Sequence, residues 1–289
     1  MMEQEVIQDK VIVDDNGSHY PTVKQSVKLM LLLLLLSAVT SVPYIVFTLI
    51  PDVFQGPIYL SIGLFISYGA SFWWVIYIAK RKIAKEGKWT LKWSFKKSPI
   101  AVYVYVVLLT LACVVVIDPI VSLIPMPEFF EKMFESMQRT DVFSFLTIVI
   151  LAPIFEEMLF RGVLLQGFLK NYSAKKSIIW SALIFGLVHL NPWQGIAGIL
   201  IGILIGWLYV KTKSLLPGMI IHFTNNLVAF VLVAVSGGKQ ESWMKTLNEP
   251  FVSGLMMVVG VVSIVLLIKL LHRQFQAHES HDESSNLIS

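Results

Sequence analysis

Charge is scarce in this chain. Only 15% of its 289 residues are Asp, Glu, Lys or Arg, against 56% hydrophobic residues, and the mean hydropathy is +0.72. A soluble domain carries about 25% charged residues, so the deficit excludes a surface built for water. Cysteine is nearly absent as well. Cys113 stands alone inside an apolar run, which excludes a disulfide framework and carries no information on redox compartment. Several catalytic signatures are also missing: H-E-x-x-H, an intramembrane G-x-S-G serine motif, a G-x-G-D aspartyl motif, a glycine-rich phosphate loop and any cofactor fingerprint. Cys113 has no basic neighbour to activate it.

What remains is a chain of long apolar runs. About 20 apolar residues cross a bilayer core as a helix, and runs that meet or approach this length fall at 28–50, 57–79, 99–124, 142–169, 177–190, 193–210, 214–235 and 251–271. The expected fold class is therefore all-α, a polytopic integral membrane helical bundle of about eight transmembrane helices. With the N-terminus inside, 18 of the 23 Lys and Arg residues fall in inner segments and four in outer loops; Arg161 lies within a span. That alternation follows the positive-inside rule and gives an N-in/C-in topology. Positive net charge (+4) thus reflects membrane anchoring, and no nucleic-acid partner is expected. The chain divides into a cytoplasmic segment at 1–27, a membrane domain at 28–271 with its core near 142–235, and a tail at 272–289. The first run is read as a retained span, because a 27-residue polar leader precedes it. Both ends are expected to be poorly ordered, and His272, His278 and His281 to be solvated there.

Ionisable groups inside a bilayer cost about 2.5–3.5 kcal/mol each on insertion scales and commonly mark function. Few are present. The fourth span holds Glu156, Glu157 and Arg161; the fifth and seventh hold His189 and His222; Asp118, with Pro119, is expected to end the third helix. No Asp, Glu, Lys or Arg occurs from Ser177 to Val210. Glu157 and Arg161 are four apart and share a helical face, so they can neutralise each other. Glu156 then projects about 100° away with no local partner. A buried carboxylate in that position is a stronger base, suited to activating water near neutral pH. His222 and Asn226 also share a face and offer hydrogen-bond donors for an oxyanion. At 1.5 Å per residue, Glu156, His189 and His222 lie about 20, 18 and 12 Å from the inner ends of their spans, close enough in depth to meet. Gly198, Gly202 and Gly206 recur every fourth residue of the sixth span, a spacing for close helix packing.

These residues resemble a known family. Glu156-Glu157-x-x-x-Arg161, Phe185-x-x-x-His189 and His222-x-x-x-Asn226 are similar to the three motifs of the CPBP family, which comprises the CAAX prenyl-protein endopeptidases and the bacteriocin-processing or immunity proteins also called Abi. The resemblance covers roughly residues 142–235. It implies an intramembrane endopeptidase in which Glu156 and His189 activate water, His222 and Asn226 hold the oxyanion, and Glu157 and Arg161 support the site. It also implies a membrane-associated or lipid-modified peptide substrate cut from the cytoplasmic side, in a multi-pass protein of a bacterial plasma membrane. The family is commonly labelled metallopeptidase. Glu156, His189 and His222 would be the ligands of a Zn²⁺ ion, while the same residues also suit a metal-free, glutamate-dependent site that requires no cofactor. Two rival readings stand beside the protease: a non-catalytic bacteriocin-immunity or binding protein, and a proton-coupled transporter with a midplane carboxylate pair.

Overall fold

The computed structural model describes residues 18–42, 45, 57–137, 139–237 and 242–286. The described residues are helical throughout, joined by short turns and one extended loop. The main helices are α1 (Val23–Thr40), α2 (Pro57–Glu86), α3 (Ile100–Val121), α4 (Glu128–Met137) and α5 (Val142–Phe168). They are followed by α6 (Ala174–Leu187), α7 (Pro192–Thr212), α8 (Leu216–Val235), α9 (Trp243–Leu247) and α10 (Pro250–Asn286). Seven of these are long and apolar enough to cross a membrane. The expected span at 177–190 is α6, whose 14 residues reach only about 21 Å. It packs within the bundle but is shorter than the bilayer core.

Local chemistry sets the helix ends. Thr22 and Gln25 form a capping box, so α1 begins five residues before the expected boundary at 28. Beyond Val42 only Ile45 of the expected first span is described, and residues 1–17 of the leader lie outside the described residues. The apolar run of α2 ends near Ala79, yet the helix continues through Lys80, Arg81, Lys82 and Lys85 to Glu86, long side chains that suit a membrane surface. Asp118 and Pro119 do not terminate α3, contrary to expectation. Pro119 sits inside the helix, and the Asp118 carboxylate accepts from Ser242 Oγ at 2.6 Å and from the Trp243 N–H at 3.2 Å. It thereby anchors the start of α9. Helix α10 runs on to Asn286. His272 contacts Gln276, while the His278 and His281 side chains lie outside those described.

The helix α5 is not a uniform α-helix. Wider π turns occupy Leu146–Leu151 and Met158–Leu165, flanking the α-helical stretch Ala152–Glu157. Such turns shift the register of side chains and free backbone carbonyls, and they recur at functional sites. Two apolar cores hold the bundle. One joins α1, α2, α5 and Phe185; the other joins α3, α7, α8 and the end of α10. Helix α6 packs tightly on α7, as the glycine spacing predicts. A Cβ at Gly186 would lie 2.4 Å from the Gly195 carbonyl oxygen, and one at Gly202 would lie 3.2 Å from Ala182. Leu255, Val258, Val262 and Leu266 of α10 face outward, an apolar stripe that lipid covers at no hydrophobic cost. This is a multi-pass membrane bundle, with α5 and α8 meeting where the two cores adjoin.

Candidate active site

The three separated motifs converge. Glu157 is fully buried, and its Oε1 accepts from Arg161 Nη1 at 2.9 Å and lies 3.2 Å from His222 Nδ1. A carboxylate oxygen only accepts, so Nδ1 of His222 carries the proton that fills this contact. Arg161 also donates through Nη2 to the Gly202 carbonyl at 3.1 Å and lies over the Phe185 ring at 4.8 Å. Hence the residue type required at 161 is a planar cation with several donors, which a lysine does not supply.

Glu156 points elsewhere, as its 100° offset requires. Its Oε1 accepts from the Tyr68 hydroxyl. Its Oε2 lies 3.7 Å from His222 Nε2 and is a buried oxygen with no hydrogen-bond partner among the described residues. An orphaned buried acceptor is costly, about 1–3 kcal/mol, and it marks a place where a donor is wanted. The partner of Glu156 is not local but comes from α2: one oxygen is held by a phenol and the other is open.

His189 follows the last turn of α6, where the chain breaks through Leu190, whose φ is 57°, into the Asn191 cap of α7. Its Nδ1 lies 2.9 Å from the Phe185 carbonyl oxygen, so Nδ1 donates and Nε2 is left as an acceptor. The Phe185 ring meets both His189 and His222 edge-on, at 5.3 and 5.6 Å between centroids. Phe185 thus orders three polar side chains at once. Asn226 donates from Nδ2 to the Ile148 carbonyl at 2.8 Å, a carbonyl within the first π stretch of α5. That bond spends one of its two Nδ2 protons and leaves the second.

A cavity of about 390 Å³ has Glu156, His189, His222, Asn225 and Asn226 in its wall. A second cavity of about 370 Å³ lies between α1 and α2 and shares Tyr68, Glu156 and His189 with the first. Leu33, Leu34 and Leu64 make it largely apolar. Glu157 and Arg161 line neither cavity.

Among the described residues no group of three or more His, Cys, Asp or Glu side chains converges in a way that would hold an ion. Nδ1 of His222 is spent on Glu157, Glu156 Oε1 is spent on Tyr68, and Nδ1 of His189 is spent on backbone. The atoms left over, Glu156 Oε2 and Nε2 of the two histidines, are those a zinc ion would need, and they do not form such a group in this arrangement.

Tyr68 was not legible from the sequence. Sorting spans for charged and imidazole groups passes over a phenol, and α2 carries none of the motifs. The available signal was its place midway along an apolar span, since a buried tyrosine hydroxyl requires a partner.

Fold and site define a polytopic helical membrane protein with a carboxylate–histidine cluster buried between its helices. Residues 138–228, from the approach to α5 into α8, match the model of a family described as Rce1-like, type II CAAX prenyl endopeptidase. The resemblance to the CPBP family read from the three motifs is borne out over that segment. No curated protein and no solved structure matches the chain.

Proposed function

We propose that the chain is a metal-free intramembrane endopeptidase that cuts a membrane-associated, CAAX-type or similarly lipid-modified peptide, with a bacterial plasma membrane as its setting. The observation that carries this reading is the open Glu156 Oε2, 3.7 Å from His222 Nε2, on a cavity that His189 and Asn226 also line. The family match over residues 138–228 supports the same reaction class, and the apolar cavity beside Tyr68 suits a substrate with a greasy appendage.

In this reading Glu156 takes a proton from a water as its oxygen bonds to the scissile carbonyl carbon, and Nε2 of His189 accepts a hydrogen bond from the same water. The oxyanion of the tetrahedral intermediate receives donation from His222 Nε2–H and from the uncommitted Nδ2–H of Asn226. Collapse breaks the C–N bond. The proton held by Glu156 passes to the leaving nitrogen, giving a carboxylic acid and an amine. Glu157 and Arg161 act behind the site by fixing the His222 ring.

The test uses full-length protein in proteoliposomes with a quenched fluorescent peptide ending in an S-prenylated cysteine and three further residues. Wild type should cleave it, and Glu156→Gln, His189→Ala and His222→Ala should each lose turnover by at least about 100-fold while remaining in the membrane. Full turnover in Glu156→Gln overturns the proposal and returns the choice to a binding or immunity protein.

A further inference from the structure

A second cavity system lies away from the candidate active site. Its volume is about 210 Å³, and four of its ten lining residues are lysines: Lys96 and Lys97 from the loop before α3, and Lys211 and Lys213 from the end of α7. No Asp or Glu lines it. The two lysine-bearing segments are fastened together by backbone groups. Ser214 Oγ donates to the Lys96 carbonyl at 2.8 Å, and the Leu215 N–H donates to the Ser94 carbonyl at 2.9 Å. Lys213 itself is held in the left-handed region, at φ 51°, with its N–H on the Tyr209 carbonyl. The cluster is a set of cations on fixed backbone. Partial desolvation, then repulsion from Lys170 and Lys211, pushes the Lys213 ammonium below the ordinary lysine range.

The position of the cavity narrows its ligand. Its floor includes Val102 and Phe275, both buried, and these sit in the terminal turns of the apolar spans Ile100–Val121 and Pro250–Ala277. Its rim holds Lys96 and Lys97 just before α3, Lys211 in the last turn of α7 and Lys213 just past it. A cavity that is apolar toward the bilayer and cationic toward the face assigned to the cytoplasm matches the level of lipid phosphates. General anchoring by basic residues requires no cavity and no shared backbone frame.

We propose that this cavity binds a phosphate-bearing anion at the membrane surface, the phosphodiester of an anionic phospholipid being seated among Lys96, Lys97, Lys211 and Lys213. Lys–phosphate contacts there act as point charges, so affinity falls steeply as salt rises.

The experiment uses the full-length protein in a neutral maltoside detergent and follows its melting temperature during three titrations. The probes are dihexanoyl phosphatidylglycerol, dihexanoyl phosphatidylcholine and inorganic phosphate. A saturable rise with phosphatidylglycerol and none with phosphatidylcholine is expected. The Lys96→Gln/Lys213→Gln variant should need at least tenfold more phosphatidylglycerol for the same rise, Lys213→Arg should respond as wild type, and so should Lys175→Gln/Lys176→Gln at the start of α6. An equal response to inorganic phosphate, lost in the same variant, upholds the site and names phosphate itself as the ligand. Equal stabilisation by phosphatidylcholine, or an unchanged response in Lys96→Gln/Lys213→Gln, overturns the proposal. Should that variant fail to fold, the wild-type titrations decide: no saturation with either anion also overturns it.

Discussion

The Tyr68 hydroxyl donates to Glu156 Oε1, tying α2 to the helix that carries the motif carboxylates. The bond fixes which oxygen of Glu156 is occupied and which faces His222. Tyr68 lies outside the family match at 138–228, so the geometry of the proposed base depends on a residue beyond the motifs. Tyr68→Phe keeps the ring and its stacking on Phe72 at 4.7 Å and deletes only the donor. A hydrogen bond to a charged acceptor contributes about 1.5–3 kcal/mol, so kcat for peptide cleavage should fall about tenfold or more with KM little changed. An unaltered kcat would show that the phenol does not orient Glu156.

Removing Arg161 should be a stability lesion before it is a catalytic one. Its guanidinium pairs with the fully buried Glu157 at 2.9 Å. Breaking one side of a buried pair costs about 3–5 kcal/mol. Arg161→Met should therefore lower the unfolding midpoint in detergent sharply, and Glu157→Gln added to it should recover part of the loss. A double variant no more stable than Arg161→Met would remove the ion pair from this account.

Close packing between α6 and α7 yields a prediction at a position with no polar role. A Cβ at Gly186 would lie 2.4 Å from the Gly195 carbonyl oxygen and equally close to Ile199. Gly186→Ala must separate the helices and displace His189 three residues on. Overpacking of this kind costs about 1–3 kcal/mol, and activity should fall together with stability. Circular dichroism melting paired with turnover checks both.

Metal dependence is open to direct measurement. Because no group of three ligating side chains converges among the described residues, cleavage should persist after dialysis against EDTA or 1,10-phenanthroline. Loss of turnover that returns with Zn²⁺ would replace the metal-free mechanism.

Much of this architecture could be read in advance, and the gaps have physical causes. The apolar runs locate the helices because bilayer thickness dictates their length. The 157/161 and 222/226 pairs are legible because residues four apart share a face, and the first of them is an ion pair at 2.9 Å. Depth arithmetic allowed Glu156 and His222 to meet, and they do. The π turns of α5 escaped because they leave no mark on hydropathy. Helix α4, Glu128–Met137, escaped because a ten-residue amphipathic helix contributes no long apolar run. The expectation that Asp118 ends its helix rested on the Asp-Pro pair alone, and the partner that engages it, Ser242, is 124 residues away.

The shortness of α6 has one more implication. A bilayer core of about 30 Å exceeds its reach by about 9 Å, so the turn from His189 to Asn191 is set within the thickness of the membrane. The Leu190 N–H bonds only to its neighbouring turn, and Gln194 just beyond is exposed. Polar backbone at that depth is tolerated where it borders protein or an inlet of solvent. Under the proposed function, the break that ends α6 early is what sets His189 at the wall of the cavity beside Glu156.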